Sequence, residues 1–388
     1  MEILRADQFH DAQPVPRQHC VSVGAAMTVK EWLVNTSLPL WAERANLPDG
    51  SWVEHLKLDG TPDLEAERRW RVLARQAVSY AHTAHLGWYP QGEDIARKTF
   101  ETYWQQGWTG THMVHRIMPD GTISDLRADL YDHAFGLLAC ARILQLTGEA
   151  TFKDKADQIL GWIETQRDPA GGWREGDVKP LPRRQNPHMH LLEASMALHE
   201  ATGRSADLDI ARQVVDLFDR LFLCSDVVGE FFNADWTPHP EMGDVVEPGH
   251  AVEWIWLLTT FDRLTGEDHS AACHALYKRT FRERLVTLYD EETRHGEIVR
   301  QTTRAWVMTE AVKAHLAMAE RGTPGAAEMA AATLQSMMGT VLMPDGTWVD
   351  QRNACGAPIA KTIPVSTMYH IVGMAIEAER VALLTSGV

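Results

Sequence analysis

A recurring helix register constrains this 388-residue chain more than any other feature. Leu146-Thr147-Gly148-Glu149, Ala201-Thr202-Gly203 and Leu264-Thr265-Gly266-Glu267 stop helical patterns in the same way. Glycine suits the position just past a helix end because it accepts the left-handed backbone conformation there. The helices they stop begin near His133, His190 and His250, and comparable helices begin near Arg75, Glu310 and His370. Neighbouring starts lie 57 to 60 residues apart, which makes six copies of one unit. A length that would suggest two or three domains therefore reads as one repeat array.

Each unit holds two helices of different character. Residues 133–141 and 251–258 are apolar on most of their circumference and need partners on several sides. Phe152, Ala156, Ile159, Leu160 and Ile163 share one face, whereas Lys153, Asp154, Lys155 and Asp157 lie elsewhere. Leu208, Ala211, Val215, Phe218 and Phe222 repeat this one-sided pattern. Six inner and six outer helices predict an all-α (α/α)6 barrel, a toroid that makes residues 1–388 one catalytic domain. An open solenoid is the alternative, but it would need polar capping repeats that the sequence does not show.

The bulk numbers narrow the class. A formal charge of −16 repels a phosphate backbone, so no nucleic-acid partner is expected. No apolar run approaches the ~18 residues that span a bilayer, and residues 1–7 carry charges where a signal peptide is apolar. The five cysteines are scattered and lack CxxC spacing, which suits reduced thiols and gives no zinc site. These features predict a cytoplasmic protein with no membrane partner.

In a closed toroid, matching positions of the inner helices point towards one axis. The sequence places there Arg75, Tyr131 with His133, Asn186 with His190, His250 with Glu253, Trp306 with Glu310, and His370. Polar groups cost free energy when buried without partners. Their concentration at one level, where packing alone would select Leu and Ala, marks a ligand pocket.

Several of these segments resemble the N-acylglucosamine 2-epimerase superfamily. The segments are Ala74-Arg75-Gln76-Ala77-Val78-Ser79-Tyr80, Asn186-Pro187-His188-Met189-His190-Leu191-Leu192-Glu193-Ala194 and Glu247-Pro248-Gly249-His250-Ala251-Val252-Glu253-Trp254. Thr309-Glu310-Ala311-Val312-Lys313-Ala314-His315 and Pro364-Val365-Ser366-Thr367-Met368-Tyr369-His370 complete the set, in order, from Arg75 to His370. The resemblance implies an (α/α)6 barrel acting on a sugar, with His250 and His370 as the catalytic acid/base pair. It makes Arg75, Tyr131, Asn186, His190, Glu253 and Glu310 substrate-binding residues and Trp306 a wall of the pocket. It also implies a homodimer as one assembly, because the family often forms dimers. Where the family often has Trp-Pro-Gln-Thr-Glu, this chain has Trp306-Val307-Met308-Thr309-Glu310 and loses an amide from the rim.

The residue types suit that chemistry independently. Rearranging a sugar at C2 needs the open-chain carbonyl, removal of the neighbouring proton and a cis-enediol. Imidazole, with an ordinary pKa of ~6.5, takes and returns protons near neutrality, and Arg75 can stabilise the enediolate. No cofactor and no metal is expected. Epimerisation exchanges protons on both faces of C2, whereas aldose–ketose isomerisation can carry one proton from C2 to C1 on one base. The Ser-Thr-Met-Tyr-His form of the last motif resembles the mannose-isomerase branch, so the reading is a mannose-type aldose–ketose isomerase. A sugar 2-epimerase of N-acylglucosamine or cellobiose type is the alternative. A toroidal glycoside hydrolase using Glu253 and Glu310, and a non-catalytic helical scaffold, are further rivals. His188-x-His190 with Glu193 invites a metal reading, but two histidines two apart on a helix do not face one point. His133 and His188 are read as structural.

Overall fold

A computed structural model describes residues 27–176, 182–282 and 287–386. In chain order the helices are α1 (Val29–Trp32) and α2 (Leu38–Arg44), joined by a π-helical turn at Leu33–Ser37, then α3 (Arg71–His85), α4 (Gly92–Gly107), α5 (Leu130–Thr147) and α6 (Ala150–Thr165). There follow α7 (Asn186–Thr202), α8 (Ser205–Leu217), α9 (Pro248–Thr265), α10 (Ser270–Thr280), α11 (Ala305–Glu320), α12 (Ala326–Met337) and α13 (Met368–Ser386).

The odd-numbered helices from α3 to α13 form an inner ring. Each packs on the next, and α13 packs on both α11 and α3, so the circle closes. Helices α4, α6, α8, α10 and α12 each cover the inner helix that precedes them. The architecture is the (α/α)6 barrel. Their buried faces follow the one-sided patterns: Phe152, Ala156, Ile159 and Ile163 are buried on α6, and Asp154 is exposed. Regular alternation from Arg75 would put the sixth outer helix after α13. It is supplied instead from the front of the chain, where α1 packs on α13.

That closure is specific. Trp32 Nε1 donates to Met343 O at 2.7 Å, and Ser37 Oγ and Trp41 Nε1 donate to Gly346 O at 2.8 and 3.1 Å. The Trp41 ring stacks on Trp348 with centroids 4.2 Å apart. Gly346 has φ +89°, and a Cβ there would meet Ser37 Cα at 3.0 Å, so the turn needs glycine on both counts. The antiparallel pairing of His55–Lys57 with Thr362–Pro364 is a second tie between the two ends of the ring.

The three glycine stops are as expected: Gly148, Gly203 and Gly266 have φ of 70°, 69° and 75° after α5, α7 and α9. The inner helices begin two to five residues before the sequence markers. Arg75, His190, His250 and His370 face one cavity from the first two turns, whereas His133 stacks on Trp162 of α6 with ring centroids 3.6 Å apart; the start is set by local chemistry. Asp129 caps α5 through Tyr131 N, and Pro187 and Pro248 occupy the first turns of α7 and α9. Connections at the C-terminal ends of α5, α7 and α9 are short. Those entering the N-terminal ends are long and carry small antiparallel sheets of two or three strands. The elaborated end of the barrel is therefore the end where the inner helices start. Among the described residues, no helix is long and apolar enough to cross a membrane.

Half of the 14 tryptophans and at least two of the 18 histidines are structural. Trp32, Trp41, Trp52, Trp70, Trp173, Trp254 and Trp348 are all among the most deeply buried large side chains. His133 and His188 tie long connections to their helices, accepting through Nε2 from Met113 N at 3.0 Å and Trp173 N at 3.3 Å. Burial drives His188 down to about 3, so it stays the neutral acceptor this role needs.

Replacing Trp41 by Ala should lower stability by ~3–5 kcal/mol, the usual range for losing a fully buried large aromatic, measured by urea unfolding. Trp104→Ala, in a half-buried outer stack with Trp108, should cost clearly less. Equal losses would mean that the Trp41 contact does not hold the ring closed.

Candidate active site

The first two turns of the inner helices converge at the elaborated end of the barrel on a cavity of about 280 Å³. Arg75, Tyr131, Asn186, His190, His250, Glu253, Trp306 and His370 all line it. Glu310 does not: it is fully buried, one layer behind His370. Sequence reasoning did not single out Arg69, Arg71, Glu247, Arg304, Asp350 and Ser366, which complete the wall. They come from the long connections or the edges of helices, outside the repeat register.

Three imidazoles reach the cavity, and each is held from behind through Nδ1 by a carboxylate. His250 Nδ1 lies 2.9 Å from Glu230 Oε2, His370 Nδ1 2.9 Å from Glu310 Oε1, and His190 Nδ1 3.3 Å from Glu193 Oε2. This fixes the ring planes and leaves Nε2 to face the cavity. Glu230 was missed by the sequence reading. It precedes the strand Phe231–Phe232, and its only signal was a lone acid in an otherwise apolar segment. It is itself braced, because Gln185 Nε2 donates to it at 3.0 Å and Trp254 Nε1 donates to Gln185 Oε1 at 2.8 Å.

The two candidate acid/base histidines differ in charge. Burial alone would lower both, since desolvation penalises the imidazolium. For His250 the carboxylates of Glu230 and Glu247 outweigh burial and raise it to about 9, so it carries a proton at neutral pH. For His370 burial wins over Glu310, and it falls to about 4, leaving a neutral ring. His190 falls to about 4 for the same reason. The pair therefore presents one acid and one base to the same space. The Asn186 amide nitrogen lies 3.2 Å from His250 Nε2, and its oxygen Oδ1 is buried without a partner. The Trp306 indole faces both rings, with centroids 5.3 Å from His250 and 5.6 Å from His370. A Cβ on Gly249 would meet that indole at 2.5 Å, which explains the glycine before His250.

Arg75 is the cation without a carboxylate. Its guanidinium donates to the Tyr131 hydroxyl and, at 3.4 Å, to Ser366 O, and it lies 4.2 Å from the Phe135 centroid. Among the described residues it forms no ion pair, so its charge is available to a bound oxygen. The rim arginines are different: Arg71 pairs with Asp132 at 2.8 Å, Arg304 with Glu247 at 3.0 Å, and Arg69 with Glu54. Glu253 is buried, its Oε1 has no partner, and burial beside Glu310 holds it well above the carboxylate range. Burial thus favours its neutral form, which can donate a hydrogen bond into the cavity.

Among the described residues, three sets each bring their donor atoms within 4.8 Å of one another: His190/Glu193/Glu253, Glu230/Glu247/His250 and Glu253/Glu310/His370. Each is built around an imidazole–carboxylate hydrogen bond, an arrangement for handling protons. His188 faces Trp173 while His190 faces Glu193, so the His188-x-His190 pair diverges.

The profile of the N-acylglucosamine 2-epimerase family matches residues 51–374. The chain is 31% identical over 376 residues to a mannose-6-phosphate isomerase of Rhizobium meliloti, covering 90% of this chain and 95% of the relative. Its fold is similar to that of a cellobiose 2-epimerase from Spirochaeta thermophila, with a TM-score of 0.82 at 22% identity over 92% of this chain and 96% of that one. A D-mannose isomerase structure gives a TM-score of 0.82 at 19% identity, over 92% of this chain and all (100%) of that one.

Two outcomes follow from these charges. With a turned-over sugar, kcat/KM should be flat between about 4 and about 9, falling at lower pH as His370 takes a proton and at higher pH as His250 loses one. Glu230→Gln removes a charge that raises His250, so the alkaline limb should move to lower pH; an unmoved limb would refute the pairing. Glu253→Gln, which keeps a neutral donor, should stay within about tenfold of the parent, and Glu253→Ala should lose about 10²-fold in kcat/KM.

Proposed function

The chain belongs to the N-acylglucosamine 2-epimerase family, and from that membership we propose that it interconverts an uncharged aldose of mannose type with its ketose. Membership makes it an enzyme of the sugar epimerase and isomerase class; the choice of reaction and substrate is our reading. The observation that carries it is the pair of imidazoles of opposite charge around one small polar cavity.

His370, neutral, takes the proton from C2 of the open-chain sugar onto Nε2 and returns it to C1. His250, protonated, gives its Nε2 proton to the carbonyl oxygen as the enediol forms, and recovers one from the C2 hydroxyl as the ketose forms. Protons balance over the cycle, and no redox partner enters. Arg75 and the neutral Glu253 stabilise the oxygens where negative charge develops. A positioned acid or base of this kind contributes about 10²–10⁴-fold.

Isomerisation is favoured over epimerisation by the Rhizobium relative, whose name is that of an aldose–ketose isomerase and whose match spans nearly all of both chains. That relative is named for a phosphorylated sugar. Here, however, each rim arginine is already neutralised by a carboxylate, which leaves little net charge for a phosphate dianion. The cavity of about 280 Å³ sits at the lower end of small-molecule sites and suits one sugar ring. A glycoside hydrolase needs two carboxyl groups flanking the scissile bond; Glu310 instead stands behind His370.

The test is a panel of mannose, mannose 6-phosphate, N-acetylmannosamine and cellobiose, with products separated by chromatography. Fructose from mannose, formed equally after EDTA treatment, is the expected result. Glucose as the sole product would establish the epimerase instead, and a preference for the phosphate would overturn the uncharged substrate. His370→Asn should abolish turnover while leaving the circular dichroism spectrum unchanged.

A further inference from the structure

Behind the catalytic layer the barrel axis opens again. A second cavity of about 560 Å³ enters from the opposite end, lined by Trp256, Gly373, Glu193, Tyr369 and Lys313 among others. Lys313 lies between the two cavities. Its side chain is 2% exposed, Nζ lies 2.7 Å from Glu310 Oε2, and it sits 3.4 Å from the centroid of the Trp256 ring. Glu310 in turn holds His370 Nδ1 through its other oxygen at 2.9 Å. Lys313 does not line the catalytic cavity, so neither proton transfer nor substrate binding uses it by direct contact.

We propose that Lys313 is a positioning residue that acts on His370 through Glu310, and that the rear cavity is its separate access route. A buried carboxylate stays ionised only beside a compensating charge. Ionised, Glu310 accepts the Nδ1 proton of His370 and leaves the lone pair on Nε2 facing the sugar. Protonated, it would stop selecting that tautomer. Three carboxylates face Lys313: Glu310 from its own helix α11, Glu253 from α9 and Glu193 from α7. His370 is faced by Glu310 and Lys313 from α11, by Arg75 from α3 and by Glu253 from α9, which has an oxygen within 4.8 Å of the ring nitrogen. Glu193 is already engaged by His190 and the Tyr369 hydroxyl, so the lysine's closest service is to Glu310. Helical spacing makes this reach direct, since positions 310 and 313 are one turn apart.

The proposal rests on His370 being the base, so the experiments separate the two. Lys313→Met should lower kcat by about 10²-fold with KM within about threefold. It should also move the acid limb of the rate profile to higher pH, because Glu310 then loses its charge at a higher pH. Unchanged kcat and an unchanged acid limb would overturn the proposal. Lys313→Ala extends the rear cavity towards Glu310, so propylammonium should restore turnover saturably and without competing with sugar. Rescue that competes with sugar would count against the rear route.

If the single lysine variants do not fold, Lys313→Met/Glu310→Gln removes both members of the ion pair and carries the test. Activity equal to that of Glu310→Gln supports action through Glu310, and a further tenfold loss refutes it. If the wild-type chain turns over no sugar in the panel, the functional reading fails, and ¹⁵N NMR of the His370 ring still decides this one. The Nδ1–H tautomer should be present in the wild-type protein and lost in Lys313→Met; a tautomer that persists overturns it.

Discussion

The carboxylate behind each imidazole is the constraint on which the site depends. An unbraced histidine on the barrel axis would be buried, neutral and free to rotate, and its two nitrogens would compete for the same role. Glu230, Glu310 and Glu193 each accept from Nδ1, so the cavity receives Nε2 from every ring. What then separates the rings is how many further charges surround each pair. His250 has a second carboxylate, Glu247, at 4.0 Å and is driven acidic in function. His370 has Lys313 and Arg75 near its carboxylate partner and remains a base. One motif, repeated on different inner helices, thus yields opposite protonation states from its surroundings alone.

Burying so many ionisable groups is possible because the ring around them is closed and well packed. The buried tryptophans supply much of that wall, and several also fix polar partners: Trp254 braces Gln185, and Trp41 braces Gly346. The overall acidity of the chain, −16, does not describe the site. At the catalytic mouth, arginines and carboxylates are closely matched, and the free charge is that of Arg75. Long-range charge therefore says little about the ligand, while the local pairing says a great deal.

Much of this was legible in the sequence. The glycine stops and the 57-to-60-residue interval pointed to a ring, and most of the residues read onto its inner register proved to share one cavity. Glu310 shows the limit of that reasoning. Register states which level a side chain occupies, but a residue one turn deeper on the helix points into the layer below, so Glu310 meets His370 rather than the cavity. Glu230 shows another limit. It sits on a connection outside the repeat, and its role exists only because the chain folds back against α9. The provenance of the sixth outer helix was hidden for a similar reason: periodicity is blind to whether the cover for the last unit comes from after it or from before the first.

The seam in the ring has a consequence for how the active chain comes into being. The first outer cover and the last inner helix are neighbours in space but almost the whole sequence apart, so the loop between them is nearly as long as the protein allows. Helix α13 carries His370 and also forms the contacts with α1 and α3 that shut the circle. During synthesis, five inner helices can assemble as an arc before the sixth emerges, and that arc holds His250, Arg75 and Glu253 without His370, the base of the proposed reaction. On the proposed mechanism, chemical competence and topological completion thus arrive with the same helix.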